Sequence, residues 1–340
     1  MILEYIWVDA DGGLRSKTKV TNSLSDTKPE PEELPDWNFD GSSTKQATGE
    51  NSEINLKPVN TYPDPFRKNI LRHSCWLVLC ETYIPETNQP HPTNTRHRAV
   101  EIFQKAPELE PMFGLEQEFF LSVRGRPIAF PENKNLPPPQ GPYYCGIGAD
   151  NVIGGECVEE AFRNCLWAGL QISGKNFEVC PGQHEIQLCD YGINVSDGLL
   201  IMRYIINRTC EKYNLTLDLR PKPIKGDWNG SGNHCNFSDK NMRDPGGYKH
   251  ILEAIKKLEK RHAYHMERYG EGNRERMTGL HETASYDTFT YGVANRGCSV
   301  RIPRSTEKNQ CGYFEDRRPA SNIDPYVVTS LIFETCCLLD

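Results

Sequence analysis

Two short acidic patterns in the 340-residue sequence have the residue types and spacing to do chemistry. Glu116-Gln117-Glu118 lies inside an apolar run, so a strand there projects Glu116 and Glu118 from one face. An isolated pair of this kind also reads as a charged outer edge. The second pattern is Asn176-Phe177-Glu178-Val179-Cys180-Pro181-Gly182-Gln183-His184-Glu185, in which Pro181-Gly182 signals a turn. A tight hairpin sets Glu178 opposite Glu185, and like charges so placed are destabilising unless something positive lies between them. Pro-Gly is not the dipeptide that two-residue hairpins favour, and a longer loop would change the pairing. With His234 in another strand-like segment, the set is rich in oxygen with one nitrogen, which suits Mg²⁺ or Mn²⁺ better than zinc or copper.

A basic counterpart lies downstream. Asn295-Arg296-Gly297, Arg301-Ile302-Pro303-Arg304 and Phe314-Glu315-Asp316-Arg317-Arg318 concentrate guanidinium groups, which hold carboxylate or phosphate in a bidentate fork. Surface ion pairs are the plainer reading of the same residues. Gly226-Asp227-Trp228-Asn229-Gly230-Ser231-Gly232 has the composition for close backbone approach to a small ligand, or for a structural turn. Acidic metal ligands and clustered arginines make joint sense in phosphoryl transfer, where metals bridge a polyphosphate and arginines neutralise the moving charge. The route is not a Walker A loop: Gly169-Leu170-Gln171-Ile172-Ser173-Gly174-Lys175-Asn176 lacks the Ser/Thr and follows a helix. Neither His184-Glu185 nor His281-Glu282 continues to the second histidine of a zincin.

The elements that must position these groups fall into two stretches. Strand-like runs at 5–8, 14–20 and 76–83 flank a long polar, proline-containing stretch from 22 to 67. From about residue 90 the character changes, with Ala99, Val100, Ile102, Phe103 and Ala106 at helical spacing, so a domain boundary falls near 85–90. Helical patterns then occupy 157–172, 197–213, 247–269 and 324–339. Strand-like segments occupy 112–123, 176–190, 215–219, 233–237 and 298–302. The irregular alternation predicts α+β. The segments 136–139 and 141–155 read as long surface loops.

Composition limits the partners. The net charge of −7 and pI near 5.8 argue against a nucleic-acid backbone binder, and no apolar run approaches a membrane span. Thirteen cysteines without a C-x-x-C pair indicate neither a disulfide framework nor a zinc ribbon. The first residues lack the parts of a signal peptide, so the expected compartment is the cytoplasm.

Six segments carry a resemblance. Trp37-Asn38-Phe39-Asp40-Gly41-Ser42-Ser43-Thr44, Gly141-Pro142-Tyr143-Tyr144-Cys145-Gly146 and Asp227-Trp228-Asn229-Gly230 resemble the eukaryotic-type (type II) glutamine synthetases. So do Leu280-His281-Glu282-Thr283, Gly292-Val293-Ala294-Asn295-Arg296 and Gly312-Tyr313-Phe314-Glu315-Asp316-Arg317-Arg318-Pro319, all in family order. The resemblance implies a small β-grasp-like N-terminal domain (1–86) and a larger catalytic domain (87–340) with a curved antiparallel sheet and flanking helices. It implies a homo-oligomer of two pentameric rings with active sites between subunits. ATP, L-glutamate and ammonium would be the substrates, with two or three Mg or Mn ions per site.

By the same resemblance Glu118, Glu178 and Glu185 would hold one metal, and Glu116, His234 and Glu315 another. Trp228, Asn229, Arg276, Arg296 and Arg317 would bind glutamate or the phosphoryl group, and Arg301 phosphate. Glu116, Glu185, Asn236, Phe237, Ser238, Arg296, Arg301, Tyr313 and Phe314 would approach the nucleotide. Asp40, from a neighbouring subunit, would attract ammonium and take its proton, and Glu282 would sit on a flap that excludes water.

The chain departs from the family pattern in three places. His184 replaces an aromatic residue, Cys189-Asp190 replaces a Gly-Pro beside the nucleotide pocket, and the chain begins almost at the first strand. The last feature predicts weaker contacts between rings. A ligase joining glutamate to another amine, or a non-catalytic relative, are the alternatives; the retained Asp40 and Glu282 favour ammonia.

Overall fold

The computed structural model describes residues 1–22, 27–68, 70, 73–130 and 136–339, so residues 23–26 of the expected polar stretch lie outside it. The described residues form two compact units, Met1–Glu101 with Arg163–Leu170, and Ile102–Phe162 with Gln171–Asp340. No helix among them is long and apolar enough to cross a membrane.

The first unit is built on a mixed sheet of β1 (Ile2–Val8), β2 (Leu14–Val20), β3 (Trp37–Asp40), β4 (Glu53–Pro63), β5 (Cys75–Ile84) and β6 (Gln89–Pro90). The order is β2-β1-β5-β4-β3, with β6 on β5. β1 and β5 run parallel and the other pairs antiparallel. Alternate residues of three strands bury one face: Leu3, Tyr5 and Trp7, then Ile54 and Leu56, then Trp76 and Val78. The polar stretch from 22 to 67 thus contains two strands that composition concealed. β4 carries Pro58, and a register shift between Pro58 and Asn60 absorbs the missing donor.

The second unit begins within α1 (Thr95–Phe103) and continues through β7 (Met112–Val123), β8 (Arg126–Pro127), the part of α2 (Gly155–Trp167) before Arg163, β9 (Ile172–Phe177), β10 (Gln183–Tyr191) and α3 (Ile193–Lys212). It goes on through β11 (Thr216–Asp218), β12 (Asn233–Ser238), α4 (Lys240–Arg243), α5 (Tyr248–Lys260), α6 (His262–Met266), α7 (Asn273–Arg276), β13 (Tyr291–Val293), β14 (Val300–Ile302), α8 (Arg304–Asn309), β15 (Phe314–Asp316) and α9 (Pro325–Phe333). Its sheet order is β13-β14-β15-β12-β7-β10-β9, with β8 and β11 also on β7.

Two expected helices are shorter. α2 stops at Trp167 because Gly169, at φ +79°, turns the chain, and the Leu170 N–H caps the helix on the Cys165 carbonyl. The expected helix at 247–269 is two: the apolar repeat Ile251, Ile255, Leu258 runs out, and Arg261 leaves the helical region at φ −106°, ψ 15°.

β7 is central and separates two environments. Phe113, Leu115, Phe119 and Leu121 are fully buried on the side where α3 packs. Gln117, between Glu116 and Glu118 in sequence, is also fully buried there. Its Oε1 accepts from Arg203 Nε at 2.8 Å and from Asn233 Nδ2 at 3.0 Å, and its Nε2 donates to the Ser321 carbonyl at 2.9 Å. The strand bearing the two glutamates is therefore fixed from behind by Gln117, whose amide is hydrogen-bonded through both its oxygen and its nitrogen.

Candidate active site

The open face of the second unit's sheet collects the acidic residues. Glu116 and Glu118 share one face of β7; Glu185 on β10 pairs across from Glu118, and His234 on β12 across from Glu116. Glu315 on β15 is paired with Asn236 on one side and Arg301 on the other. Glu178 follows β9 in the β9–β10 connection. The hairpin does not set Glu178 opposite Glu185. Its loop is longer than two residues, Glu178 N–H bonds the Gln183 carbonyl, and Glu185 pairs with Asn176. The loop nonetheless returns Glu178 to the same place. Glu118, Glu178 and Glu185 each offer an oxygen within 4.8 Å of the others, and Glu116, His234 and Glu315 form a second such group.

Side-chain amides orient these carboxylates. Asn176 donates to Glu178 at 2.7 Å, Gln187 to Glu185 at 2.5 Å, Asn236 to Glu116 at 2.7 Å, and Gln183 to Glu118 at 2.8 Å. The Gly232 N–H adds a 2.7 Å bond to Glu118, and a Cβ there would lie 2.8 Å from Arg276 Nη1 and 3.0 Å from His234 Nε2, so any larger residue would have to displace those two side chains. Gln183 and Gln187 were not anticipated, yet their period-two spacing around Glu185 carries the signal.

The electrostatics of the face are unfavourable as it stands. Burial, with Glu178 and Glu185 close by, pushes the Glu118 carboxyl well above the usual range. Burial raises Glu178 to about 7, and burial with Glu116 and Glu178 nearby raises Glu185 to about 8. Burial, then Arg317, holds His234 well below its ordinary value, leaving a neutral imidazole with a lone pair to offer. Crowded carboxylates and a neutral histidine fit a hard divalent cation, which relieves the repulsion and takes the lone pair.

The arginines divide three ways. Arg301 Nη1 and Arg317 Nη1 each take one oxygen of Glu315, at 2.8 and 2.6 Å, and with Arg296 they line the same cavity of about 200 Å³. Arg276 also lines it, but one of its nitrogens clamps the carbonyls of Arg317, Arg318 and Pro319. Arg304 pairs with Glu307 on the surface, and Arg318 is wholly buried against Asp316. The expected cluster is thus split by strand alternation, with Glu315 and Arg317 toward the cavity and Asp316 and Arg318 away from it.

Asn229 lines the cavity beside the residue 280–283 loop. The Trp228 ring instead packs edge-on against Phe130, its centroid 5.4 Å away, so the expected glutamate contact from this residue falls to its backbone. Phe237 and Phe314 are likewise buried in the core, 5.7 Å apart, leaving only their backbones for a nucleotide. Ser238 is buried, its hydroxyl accepting from Arg243, and Tyr313 is exposed; neither lines the cavity. Tyr144, not singled out beforehand, does line it and bonds Arg296; the Gly141–Gly146 motif was its signal.

Over the cavity, His281 and Glu282 hold consecutive left-handed conformations at φ 53° and 61°, a strained tip for two residues with side chains. Arg317 Nη2 pins this tip by donating to the Glu282 carbonyl at 3.1 Å. His184 faces away from Glu185 and is fully buried between the rings of Phe119 and Phe177. Burial lowers it to about 3, so it packs as a neutral aromatic.

Asp40 belongs to the first unit. It ends β3 and caps the 3-10 turn that follows, its carboxylate accepting from Ser42 N–H at 3.0 Å, Ser42 Oγ at 2.6 Å and Ser43 Oγ at 2.9 Å. Those bonds hold it below the ordinary aspartate range, so it stays an exposed anion.

Known proteins match along the whole chain. The family model for the glutamine synthetase β-grasp domain matches residues 1–85, and that for the glutamine synthetase catalytic domain matches residues 90–245. A glutamine synthetase of Neurospora crassa is 51% identical over 342 residues, covering 99% of this chain and 91% of the relative. A cytosolic glutamine synthetase isozyme of Daucus carota is 52% identical over 343 residues, covering 99% and 95%. A Kluyveromyces lactis glutamine synthetase is 49% identical over 342 residues, covering 99% and 89%. With a β-grasp sheet, a catalytic α+β unit and this degree of identity, the chain belongs to the glutamine synthetase family, of the eukaryotic type.

Proposed function

We propose that this chain joins ammonia to the side-chain carboxylate of L-glutamate at the expense of ATP, through a γ-glutamyl phosphate. Membership of the family makes it an enzyme of the glutamate–ammonia ligase type. The observation that carries the reading at the level of the site is the adjacency of two ligand groups and four arginines, Arg276, Arg296, Arg301 and Arg317, around one cavity.

Glu118, Glu178 and Glu185 would hold one Mg²⁺ or Mn²⁺, and Glu116, His234 and Glu315 another. Bound there, such ions would neutralise the polyphosphate and the charge gathering on the transferred phosphoryl group. Arg296 and Arg317 hold glutamate and the moving phosphoryl group, with Asn229, Arg276 and the Trp228 backbone on glutamate and Arg301 on phosphate. Asn236, Ser238, Tyr313 and the backbones of Phe237 and Phe314 serve the nucleotide.

The γ-carboxylate of glutamate attacks the terminal phosphorus, forming a C–O–P linkage as the bond to ADP breaks. Ammonia then adds to the acyl carbon and phosphate leaves. Asp40 attracts the ammonium ion and takes its proton, and the Glu282 loop keeps water from the acyl phosphate. The domains divide at 86/87, Asp40 acts from a neighbouring copy in a ring assembly, and the compartment is the cytoplasm.

The test is phosphate release from ATP with glutamate and a panel of amines, with and without divalent cation. The reading requires glutamine as the product and dependence on glutamate, ammonium and the cation together. Turnover with a polyamine but not ammonium favours a different glutamate–amine ligase, and none with any amine a non-catalytic relative.

A further inference from the structure

Behind β15 lies a hydrogen-bonded group that the proposed chemistry does not use. Asp316 and Arg318, pointing away from the cavity, form a fully buried pair, with Nε to Oδ1 at 2.8 Å and Nη2 to Oδ2 at 2.7 Å. The remaining terminal nitrogen, Nη1, lies 3.1 Å from His262 Nδ1. His262 Nε2 in turn lies 2.9 Å from the Tyr286 carbonyl. A guanidinium can only donate and a carbonyl can only accept, so the imidazole is neutral, with its proton on Nε2.

The two partners of this imidazole belong to two working parts of the site. Arg318 follows Arg317, which with Glu315 lines the cavity on the other side of the same extended segment. Tyr286 closes the stalk of the loop that carries Glu282: its N–H bonds the Met277 carbonyl, and Thr278 and Ser285 bridge just above. At the tip of that loop Arg317 Nη2 bonds the Glu282 carbonyl. The loop is thus attached to the segment directly after β15 at two points, its strained tip by Arg317 and its stalk by Arg318 through His262. Phe289 packs on both His262 and Arg318, with centroid and guanidinium distances of 5.8 and 5.1 Å.

We propose that His262 is a positioning residue for closure of the active site. Its neutral imidazole tethers the stalk of the 277–286 loop to the segment that bears Glu315 and Arg317, so that the cover and the phosphoryl-binding groups keep one register. The proposal rests on the ligase reading, in which that loop shields an acyl phosphate from water.

The full-length enzyme is compared with H262A, H262N and H262Q by amide hydrogen exchange and by the ratio of phosphate released to glutamine formed at low ammonium. Alanine removes both bonds, and asparagine is too short to span the two partners. In both variants exchange within residues 277–286 accelerates by about 10-fold while the sheet is unchanged. The phosphate-to-glutamine ratio rises several-fold above unity as water intercepts the intermediate. Glutamine at 262, which can accept and donate at once, restores both. Unchanged exchange in H262A and H262N overturns the proposal, as does acceleration spread over the whole chain without rescue by H262Q. A wild-type enzyme that forms no glutamine overturns the ligase reading instead, and the exchange pattern then decides the tether by itself.

Discussion

Glu118 on β7 and Glu185 on β10 stand directly across from one another in an antiparallel ladder, both buried, with Glu178 brought in beside them by the β9–β10 loop. Folding has gathered three carboxylates where each raises the cost of ionising the next, an arrangement that serves a bound cation and harms the protein without one.

Replacing Glu185 with Gln therefore has opposite effects on stability and activity. The metal-free protein gains up to about 1 kcal/mol in urea unfolding, because a carboxyl that burial and its acidic neighbours raise to about 8 no longer has to be protonated or held charged in the fold. Ligase activity falls by more than ~100-fold, beyond the usual cost of losing an outer-shell partner of a metal. A metal-free E185Q protein less stable than wild type contradicts this account of the cluster.

Asp40 is anchored by hydroxyl and amide donors and stays ionised through any practical assay pH. Substituting Ala raises the KM for ammonium by about 10- to 100-fold, equivalent to about 1.4 to 2.8 kcal/mol, with the KM for glutamate near its original value. Equal changes in both constants would remove Asp40 from the ammonium step.

His265 gives the fold an acid-sensitive point away from the metal groups. Its Nδ1 is 2.6 Å from the Tyr269 hydroxyl, which donates to Asp316, and its Nε2 is 2.9 Å from Thr335 Oγ1. Burial, with Arg318 adding, lowers it from 6.5 to about 3. The unfolded chain thus binds the proton more readily than the folded one between those values. The stability contribution is fully present above pH 6.5 and is lost as pH falls toward about 3. Unfolding free energies of H265Q from urea titrations between pH 7 and 4 should decline less steeply than those of wild type, by up to about 1.4 kcal/mol per pH unit. Parallel curves would show that His265 does not carry this dependence.

Much of the site was legible because its ligands lie on strands, where period two states which residues share a face. Glu116 and Glu118 could be paired from sequence, and Gln183 and Gln187 could have been. What local pattern does not hold is register between distant strands. Glu315 meets Asn236 only through the β12–β15 pairing, and nothing near either residue encodes it. The same gap merged Arg318 with Arg317, since both follow a three-residue strand whose single apolar residue, Phe314, sets no rhythm by which to tell the two faces apart. In the first unit β4 escaped notice because its prolines read as loop, whereas the pairing tolerates Pro58 at a bulge.

The most direct test of the central claim uses glutamate labelled with ¹⁸O in its γ-carboxylate, with ATP, ammonium and Mg²⁺, and mass analysis of the phosphate released. Attack of the carboxylate on phosphorus transfers one labelled oxygen, so the account predicts phosphate carrying a single ¹⁸O and glutamine retaining the other. Unlabelled phosphate, formed alongside glutamine, would contradict it.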